Sequence, residues 1–296
     1  MEHGRDYIIA DNRIRVYGPY ADIATAGVRS FEVFAAEYAT EVCPIVEIFT
    51  GCEIKDEEIE SQMLTSFDFE EGQALCKFGR TATHYTFSIE NKASQPLHLI
   101  YERATDKVRC NVGCNGEHNP SFLRFGMWFA IGIAAAKHQT AAIHSSVIVA
   151  NNEAIMFLGE SGTGKSTHTR LWRENIEGAT LLNDDSPFLR IVEGKAIVYG
   201  SPWSGKTPCY KSESYPLRAI VRLSQAPHNV MRKLRGAQAI GALLPSMPPA
   251  FAFDKELEER MIDILSATMA DVAVYHLECL PNAEAARLSY NTVFGL

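Results

Sequence analysis

Short segments in which apolar and polar residues alternate dominate the first third of the chain. The stretches RIRVYG (13–18), TATHYTFSIEN (81–91) and PLHLIYERATDKVRCNVG (96–113) follow this pattern, and Gly, Asn, Asp or Pro residues separate such segments. A period of two residues predicts strands with one buried face, and the separating residues favour turns. We therefore predict an antiparallel β-meander. SFEVFAAEYA (30–39) could form a helix, whereas DEEIESQ (56–62) favours a solvated loop or short turn.

The pattern changes at NPSFLRFGMWFAIGIAAAKHQ (119–139). Asn119 is a good N-cap residue, and Pro120 suits the first helical position. The residues that follow are apolar on nearly every face, which predicts a buried helix. This stretch is interrupted by glycines and is too short to span a bilayer.

Beyond residue 140, apolar strands and helices are mixed, which predicts a mixed α/β fold, or α+β for the chain as a whole. The predicted elements are strand 141–150, strand 154–159, helix 165–174, strand 179–185, hairpin 187–200, strand 217–225, helix 254–271, strand 272–279 and helix 281–294. A turn at Asn151-Asn152 would make the first two strands an antiparallel hairpin.

The net charge limits the binding partners that we expect, and the cysteine content indicates the cellular compartment. The formal net charge is −8, so the surface would repel the phosphates of nucleic acids and of anionic membranes. Seven cysteines, an odd number with no regular spacing, favour a reduced cytoplasm. The first residues, MEHGRDYIIADN, lack the basic and then apolar pattern of a signal peptide. We expect a cytoplasmic protein that binds neither nucleic acid nor membrane.

The segment GESGTGKS (159–166) matches the phosphate-loop pattern G-x-x-x-x-G-K-[ST] at every fixed position, between a predicted strand and a predicted helix. Its backbone N–H groups and the helix N-terminus would hold phosphates, Lys165 would reach the β- and γ-phosphates, and Ser166 would help to hold Mg²⁺. The predicted nucleotide-binding residues are Gly159, Glu160, Ser161, Gly162, Thr163, Gly164, Lys165, Ser166 and Thr167.

Two carboxylates and a histidine flank this loop in the predicted topology. Asp184 and Asp185 end a predicted strand, where one could lie near Mg²⁺ and the other near an acceptor hydroxyl as base. An Asp-rich turn is the structural alternative. The predicted hairpin returns His144 to the side of the loop, where it could ligate metal or pair with an Asp.

The loop YGSPWSGKTPCYK (199–211) offers a further cation. Lys206 could reach a γ-phosphate or an acidic substrate, or it could be a solvated surface lysine. Trp203 could stack on a ring or simply pack in the core. Among the arginines at 218, 222, 232 and 235, Arg222 is the candidate that would stabilise charge during transfer. His168 and Arg170 follow the loop and are expected on the helix surface.

The combination IHSSVIVANNEAIMFLGESGTGKST…LLNDDSPFL resembles the nucleotide-binding core shared by HPr kinase/phosphorylase and ATP-dependent phosphoenolpyruvate carboxykinase. The resemblance covers roughly residues 141–211 and implies a bacterial relative with a mixed sheet. It implies that His144 and one of Asp184 and Asp185 are metal-site or catalytic residues, and that an Asp of the pair deprotonates a serine hydroxyl. Lys206 resembles a lysine of the carboxykinases.

From these observations we expect an ATP-dependent phosphotransferase that acts on a hydroxyl of a protein or metabolite and that could form a homo-oligomer. Asp184, Asp185, His144 and Lys206 are the expected catalytic residues; Ser166, Asp185 and His144 are the expected ligands of Mg²⁺, or of Mn²⁺ in its place. The alternatives are a non-catalytic ATP sensor and a carboxykinase-like lyase. The expected division is a β-rich domain 1–118, a connecting helix 119–140 and a nucleotide-binding domain 141–296.

Overall fold

The computed structural model describes residues 4–36, 42–114, 118–205 and 207–296. The chain divides into two units. The first comprises Met1–Lys137 and Phe253–Lys255, and the second comprises His138–Ala252 and Glu256–Leu296. The apolar helix that follows Asn119 therefore belongs to the first unit. Lys206, the cation expected to reach the phosphate, lies outside the described residues, so its placement stays a prediction.

The described part of the first unit contains an eight-stranded sheet with the order β1-β2-β3-β8-β7-β6-β5-β4. Its strands are β1 (Arg5–Ile9), β2 (Asn12–Tyr17), β3 (Val46–Phe49), β4 (Gln62–Phe69), β5 (Ala74–Arg80), β6 (His84–Glu90), β7 (Leu97–Glu102) and β8 (Lys107–Cys110). Its helices are α1 (Asp56–Ile59) and α2 (Pro120–Ala136), with 3₁₀ turns at Arg29–Phe34 and Glu70–Gly72.

The predicted meander is confirmed for β4 to β8, which pair antiparallel in chain order. It is wrong for β3, which pairs parallel to both β2 and β8. The long connection between β2 and β3 returns the chain to the edge of the sheet at which β2 begins. Parallel pairing of two strands needs such a crossover. The helix expected at 30–39 is a 3₁₀ turn at Arg29–Phe34, and residues 37–41 are not described. At 56–62, the expected loop or turn contains the single helical turn α1.

α2 begins as its sequence predicts, because the side chain of Asn119 accepts a hydrogen bond from the backbone N–H of Ser121 at 2.9 Å. Phe129 of α2 stacks on Phe87 of the sheet, with ring centroids 4.0 Å apart. Gly126 allows a close approach, since a Cβ atom there would lie 2.9 Å from a methyl group of Leu97. These contacts bury the apolar surface of α2 against its own sheet. In the part of the chain that the structure describes, no helix is long and apolar enough to cross a membrane.

The described part of the second unit contains a mixed nine-stranded sheet. Its strands are β9 (Thr140–Ala142), β10 (Ser145–Ala150), β11 (Glu153–Leu158), β12 (Thr180–Asp185), β13 (Phe188–Val192), β14 (Lys195–Tyr199), β15 (Ser214–Gln225), β16 (Val230–Leu234) and β17 (Ala273–Cys279). The order is β12-β10-β11-β15-β14-β13-β9, with β17 beside β15 and β16 beside β17. The predicted hairpin of β10 and β11 is confirmed, and so is the hairpin of β13 and β14.

The helices of the second unit are α3 (Lys165–Asn175), α4 (Ala237–Leu243), α5 (Lys255–Asp271, all but its first residue) and α6 (Ala283–Phe294). Short 3₁₀ turns occur at Leu244–Ser246 and Pro249–Phe253. One face of α3 packs with α6 against the sheet around the fully buried Trp172. This packing fixes the direction in which α3 leaves the phosphate loop.

His168 lies in this core, not on the helix surface as its position beside the loop predicts. Its side chain is buried, and its Nε2 atom accepts a hydrogen bond from Trp172 Nε1 at 3.3 Å and lies 3.1 Å from Ser289 Oγ. Burial lowers the pKa of His168 to about 4. The residue is therefore a neutral, structural histidine. Arg170 stays on the surface as expected and pairs with Glu174.

We predict that His168 makes the folded protein less stable in mild acid. The unfolded state takes up a proton as the pH falls through 6.5, whereas folded His168 resists protonation until about pH 4. The stabilisation is therefore complete above pH 6.5 and falls by about 2 kcal/mol between pH 7.5 and pH 5. Urea denaturation at several pH values measures this loss. His168→Gln, which cannot titrate, serves as the control, and an equally steep pH dependence in that variant would contradict the assignment.

Candidate functional site

Four strands that run in the same direction end at one edge of the second unit's sheet. β11 is parallel to β15, and β15 is parallel to β17. β12 belongs to the same set because β12 and β11 are both antiparallel to β10. Ligands of open α/β sheets bind beyond the carboxyl ends of such strands. The segment after each of these strands and the residue before β10 therefore come together at this edge.

The phosphate loop connects β11 to α3 at this edge. Gly162 and Gly164 have φ angles of +79° and +107°, which side chains with a Cβ atom rarely adopt. A Cβ atom built at either glycine would meet no heavy atom of the described residues within 4 Å, so the backbone conformation and not crowding requires glycine. Thr163 closes the turn by donating from its N–H and its hydroxyl to the carbonyl of Glu160, at 3.1 Å and 2.7 Å.

The ammonium of Lys165 folds back over the first half of the loop. Nζ donates to the carbonyl of Gly159 at 2.7 Å and lies 3.3 Å from that of Glu160. It also lies 3.0 Å from His144 Nε2. An ammonium donates only, so His144 Nε2 accepts this hydrogen bond. The cation thus lies in a ring of acceptors at the position where a phosphate would contact both the loop and the lysine.

The environment of Lys165 is partly desolvated. Burial lowers the pKa of Lys165, Asp185 and Asp184 oppose this effect, and Arg222 adds to it. The two carboxylates therefore help to keep the lysine charged, and all four ionic groups share one electrostatic neighbourhood.

His144 connects Lys165 to Asp185. His144 Nδ1 lies 3.4 Å from Asp185 Oδ1, while Nε2 faces the lysine. Because Nε2 accepts, the neutral imidazole carries its proton on Nδ1 and presents that proton to the carboxylate. The backbone N–H of His144 donates to the carbonyl of Ser246 at 2.8 Å, which anchors the residue. Both side chains of the pair remain substantially exposed.

Asp184 has a different partner and a different environment. It is buried and accepts a hydrogen bond from the hydroxyl of Ser166 at 3.0 Å. A carboxylate and a serine hydroxyl are the oxygen donors with which phosphate-loop enzymes hold Mg²⁺. Ser166 and Asp184 therefore fit a magnesium ion. Asp185 and His144, which were also expected as metal ligands, face each other, and their role as metal ligands stays a prediction. Within the described residues, no group of three or more His, Cys, Asp and Glu side chains is arranged to hold a metal by itself.

Asn183 fixes the loop that follows β14 to the end of β12. Its fully buried side-chain amide donates to the carbonyl of Trp203 at 3.0 Å, and its Oδ1 accepts from the N–H of Ser186 at 3.1 Å. The N–H of Gly205 donates to the carbonyl of Asp184 at 2.5 Å. Asn183 is not among the residues predicted from the sequence, although its place directly before the Asp pair is a usable signal.

Trp203 is buried in the core, one of the two alternatives left open by its sequence. Its ring packs edge-on against Phe188, with ring centroids 5.9 Å apart. A buried ring in this position does not offer a face for stacking on a ligand. The tryptophan instead anchors the loop that precedes Lys206.

Two cavities border the phosphate loop. The larger, of about 580 Å³, adjoins the second half of the loop and is lined by Gly162, Thr163, Gly164, Thr167, His168, Leu171, Leu223, Gln225, Ala226, Cys279, Leu280 and Pro281. The smaller, of about 400 Å³, adjoins the first half and is lined by Glu160, Ser161, Gly162, Thr163, Arg222, Leu223, Ser224, Gln225 and His276. Both linings contain residues of the predicted nucleotide-binding loop. Outside the loop, the smaller cavity also contains the candidate Arg222, which lies 3.7 Å from Glu160.

Comparisons with known proteins add little to this geometry. No protein-family model and no curated protein matches the chain. A solved structure that matches is that of the Hpr(Ser) kinase/phosphatase from Coxiella burnetii, at 11% sequence identity and a TM-score of 0.31, over 52% of this chain and 94% of that chain. The similarity is distant, and an overlap this loose carries no argument about activity.

We predict that Asn183→Ala destabilises the protein by about 3 kcal/mol, because it removes the side-chain acceptor of the buried Ser186 N–H and a donor to the buried carbonyl of Trp203. Asn175→Ala is the control, since Asn175 is half-buried and bonds to a carbonyl of its own helix. Urea denaturation measures both variants. An equal loss in the two variants would contradict the role assigned to Asn183.

Proposed function

We propose that the protein is an ATP-dependent phosphotransferase that transfers the γ-phosphoryl group to a hydroxyl. One observation carries this proposal. The lysine of the phosphate loop lies at the same sheet edge as two separate aspartates, each with its own partner: Asp184 with Ser166 and Asp185 with His144. A site that merely binds nucleotide needs the loop and its metal site. The second, exposed pair gives the site a group that can accept a proton.

The phosphates would bind to the loop amides and the N-terminus of α3, where the helix dipole favours negative charge. Lys165 would exchange its contacts with the loop carbonyls for the β- and γ-phosphates. The nucleoside would occupy the larger cavity, because this cavity adjoins Thr167 and the start of α3 and its volume lies in the range of small-molecule sites. Leu171, Leu223 and Pro281 provide apolar surface for a base.

Ser166 and Asp184 would hold Mg²⁺, or Mn²⁺ in its place, which neutralises charge on the phosphate oxygens. The roles of the two carboxylates then differ. The buried Asp184 holds the metal, and the exposed Asp185 is free to face an acceptor.

Asp185 would act as the general base. The acceptor oxygen forms a bond to the γ-phosphorus, the bond from that phosphorus to the bridging oxygen of ADP breaks, and the hydroxyl proton passes to the Asp185 carboxylate. His144, with its proton on Nδ1, orients this carboxylate, and Lys165 offsets charge on the transferred group. Lys206 remains a predicted contributor from the neighbouring loop.

We predict that Lys165→Ala weakens ATP binding at least about tenfold, because it removes the cation that contacts the terminal phosphates. Isothermal titration with Mg-ATP measures the affinity. Lys195→Ala is the matched control, since Lys195 is an exposed lysine of the same unit that pairs with Asp271. Equal affinities for the two variants would contradict the placement of the nucleotide.

We predict that Asp184→Asn and Asp185→Asn have different effects. Asp184→Asn raises the Mg²⁺ concentration needed for half-maximal activity, because a metal ligand is lost. Asp185→Asn keeps ATP affinity but slows transfer about 100-fold, because the base is lost. The assay follows label from γ-³²P-ATP into the proteins and small molecules of a cell extract. Bound ATP without any labelled product in the wild type would reject the transferase proposal in favour of a nucleotide sensor.

A further inference from the structure

We propose that the smaller cavity is the acceptor subsite and that it selects small hydroxyl compounds that carry an anionic group, either a carboxylate or a phosphate. This inference rests on the proposed phosphotransferase function. It adds the class of the acceptor and the residues that recognise it.

A row of cationic and imidazole side chains crosses the sheet beside the loop. Leu158, the last residue of β11, is in register with Arg222 on β15, and Arg222 is in register with His276 on β17. His276 is in turn opposite Arg232 on β16. Residues opposite each other on neighbouring strands project from the same face of a sheet. Arg222, His276 and Arg232 therefore lie side by side on one face, next to the point where the phosphate loop begins.

Arg222 is positioned to bind an anion. Its Nη1 donates to the carbonyl of Ala242 at 3.2 Å, which fixes the guanidinium. Its Nη2 lies 3.7 Å from Glu160 Oε1, beyond hydrogen-bond distance, and the Glu160 side chain is 84% exposed. An ion pair this long, with one partner in solvent, is weak, so an incoming anion can replace Glu160 at little cost. A guanidinium can then bind a carboxylate or phosphate through two parallel N–H donors.

His276 and Ser224 add a second donor. Burial lowers the pKa of His276, and Arg232 and Arg222 lower it further against the opposing effect of Glu278, so the ring is neutral near pH 7. Arg232 Nη2 lies 3.0 Å from His276 Nδ1, and an arginine only donates. The ring proton is therefore on Nε2, which donates to Ser224 Oγ at 2.9 Å. Because Ser224 lines the cavity and its oxygen accepts this hydrogen bond, its hydroxyl hydrogen is available to a ligand in the cavity.

The balance of donors and acceptors favours an anion. Arg222 and Ser224 supply donors, while the exposed Glu160 supplies the charged acceptor of the lining. The cavity volume of about 400 Å³ is near the lower end for small-molecule sites, which suits a compound of a few carbon atoms.

The position of the cavity suits an acceptor and not the nucleoside. Lys165 reaches back to the carbonyls of Gly159 and Glu160, so the terminal phosphate would lie over the first half of the loop. The smaller cavity is lined by this same half, whereas the larger cavity adjoins Thr167 and α3. A compound whose anionic group binds Arg222 would place its hydroxyl beside the γ-phosphate. The hydroxyl oxygen displaces ADP and its proton passes to Asp185, as in the proposed reaction.

The test measures binding of three probes to the full chain by isothermal titration, with and without a saturating non-hydrolysable ATP analogue and Mg²⁺. Glycerate carries a carboxylate, glycerol 3-phosphate carries a phosphate, and glycerol carries no charge. We expect at least one charged probe to bind at least about tenfold more tightly than glycerol. The preferred probe identifies the anionic group.

We expect Arg222→Gln to weaken binding of that probe at least about tenfold. Arg170→Gln is the matched control, because Arg170 is an exposed arginine on α3 that pairs with Glu174, and we expect its affinity for the probe to stay within about twofold of the wild type. Circular dichroism and thermal melting establish that both variants are folded. If Arg222→Gln does not fold, the comparison of charged and uncharged probes in the wild type still decides the question.

The inference is overturned if glycerol binds as tightly as the charged probes, if neither charged probe binds, or if folded Arg222→Gln binds like the wild type. These outcomes are separate from a failure of the proposed function. That function fails if ATP does not bind or if no label is transferred, and the titrations without nucleotide report on the cavity in either case.

Discussion

The site depends on keeping a partly buried ammonium charged. Desolvation disfavours the charged form of Lys165 and lowers its pKa. Without partners, a buried ammonium would therefore tend to release its proton. The loop carbonyls and His144 Nε2 offer acceptors, and Asp184 and Asp185 supply the opposing charge. These groups come from three separate segments of the chain. The ends of β12, β11 and β10 must therefore meet at one edge for the charged lysine to be stable there, and the same arrangement brings together the groups to which we assign catalytic roles.

The sheet divides the surroundings of the loop into two sides. Leu223 and Leu277 alternate with Arg222 and His276 along β15 and β17. The leucines belong to the core beneath α3 and α6, while the arginine and histidine lie on the opposite face. The period of two residues thus gives one side an apolar cavity and the other a polar cavity. This division suits the proposed placement of a nucleoside in the apolar cavity and a small anion in the polar cavity.

The sequence was most informative where the signal is local. The spacing of the phosphate loop, the cap at Asn119 and the two hairpins depend on neighbouring residues, and their short-range geometry follows from turn and helix chemistry. Strand pairing between segments far apart in the chain is harder to predict from the sequence. The parallel strand β3 and the row from Arg222 to Arg232 depend on register between strands far apart in the chain. The burial of His168 depends on α6, which is more than 100 residues away at Ser289, so its helical position alone suggested a surface residue.

Asp184 and Asp185 are adjacent at the end of β12, yet their carboxylates lie in different environments. Both residues pair with β10, Asp184 opposite Ser146 and Asp185 opposite Ser145. The carboxylate of Asp184 is buried and accepts from Ser166, which holds it in place. Asp185 has a φ angle of 153°, uncommon for a residue with a side chain. Its carboxylate is turned toward His144 and solvent. A metal ligand benefits from rigidity, whereas a base must take up a proton and release it to water. The change in backbone direction between two adjacent residues therefore gives the two carboxylates the different environments that the proposed roles of metal ligand and base require.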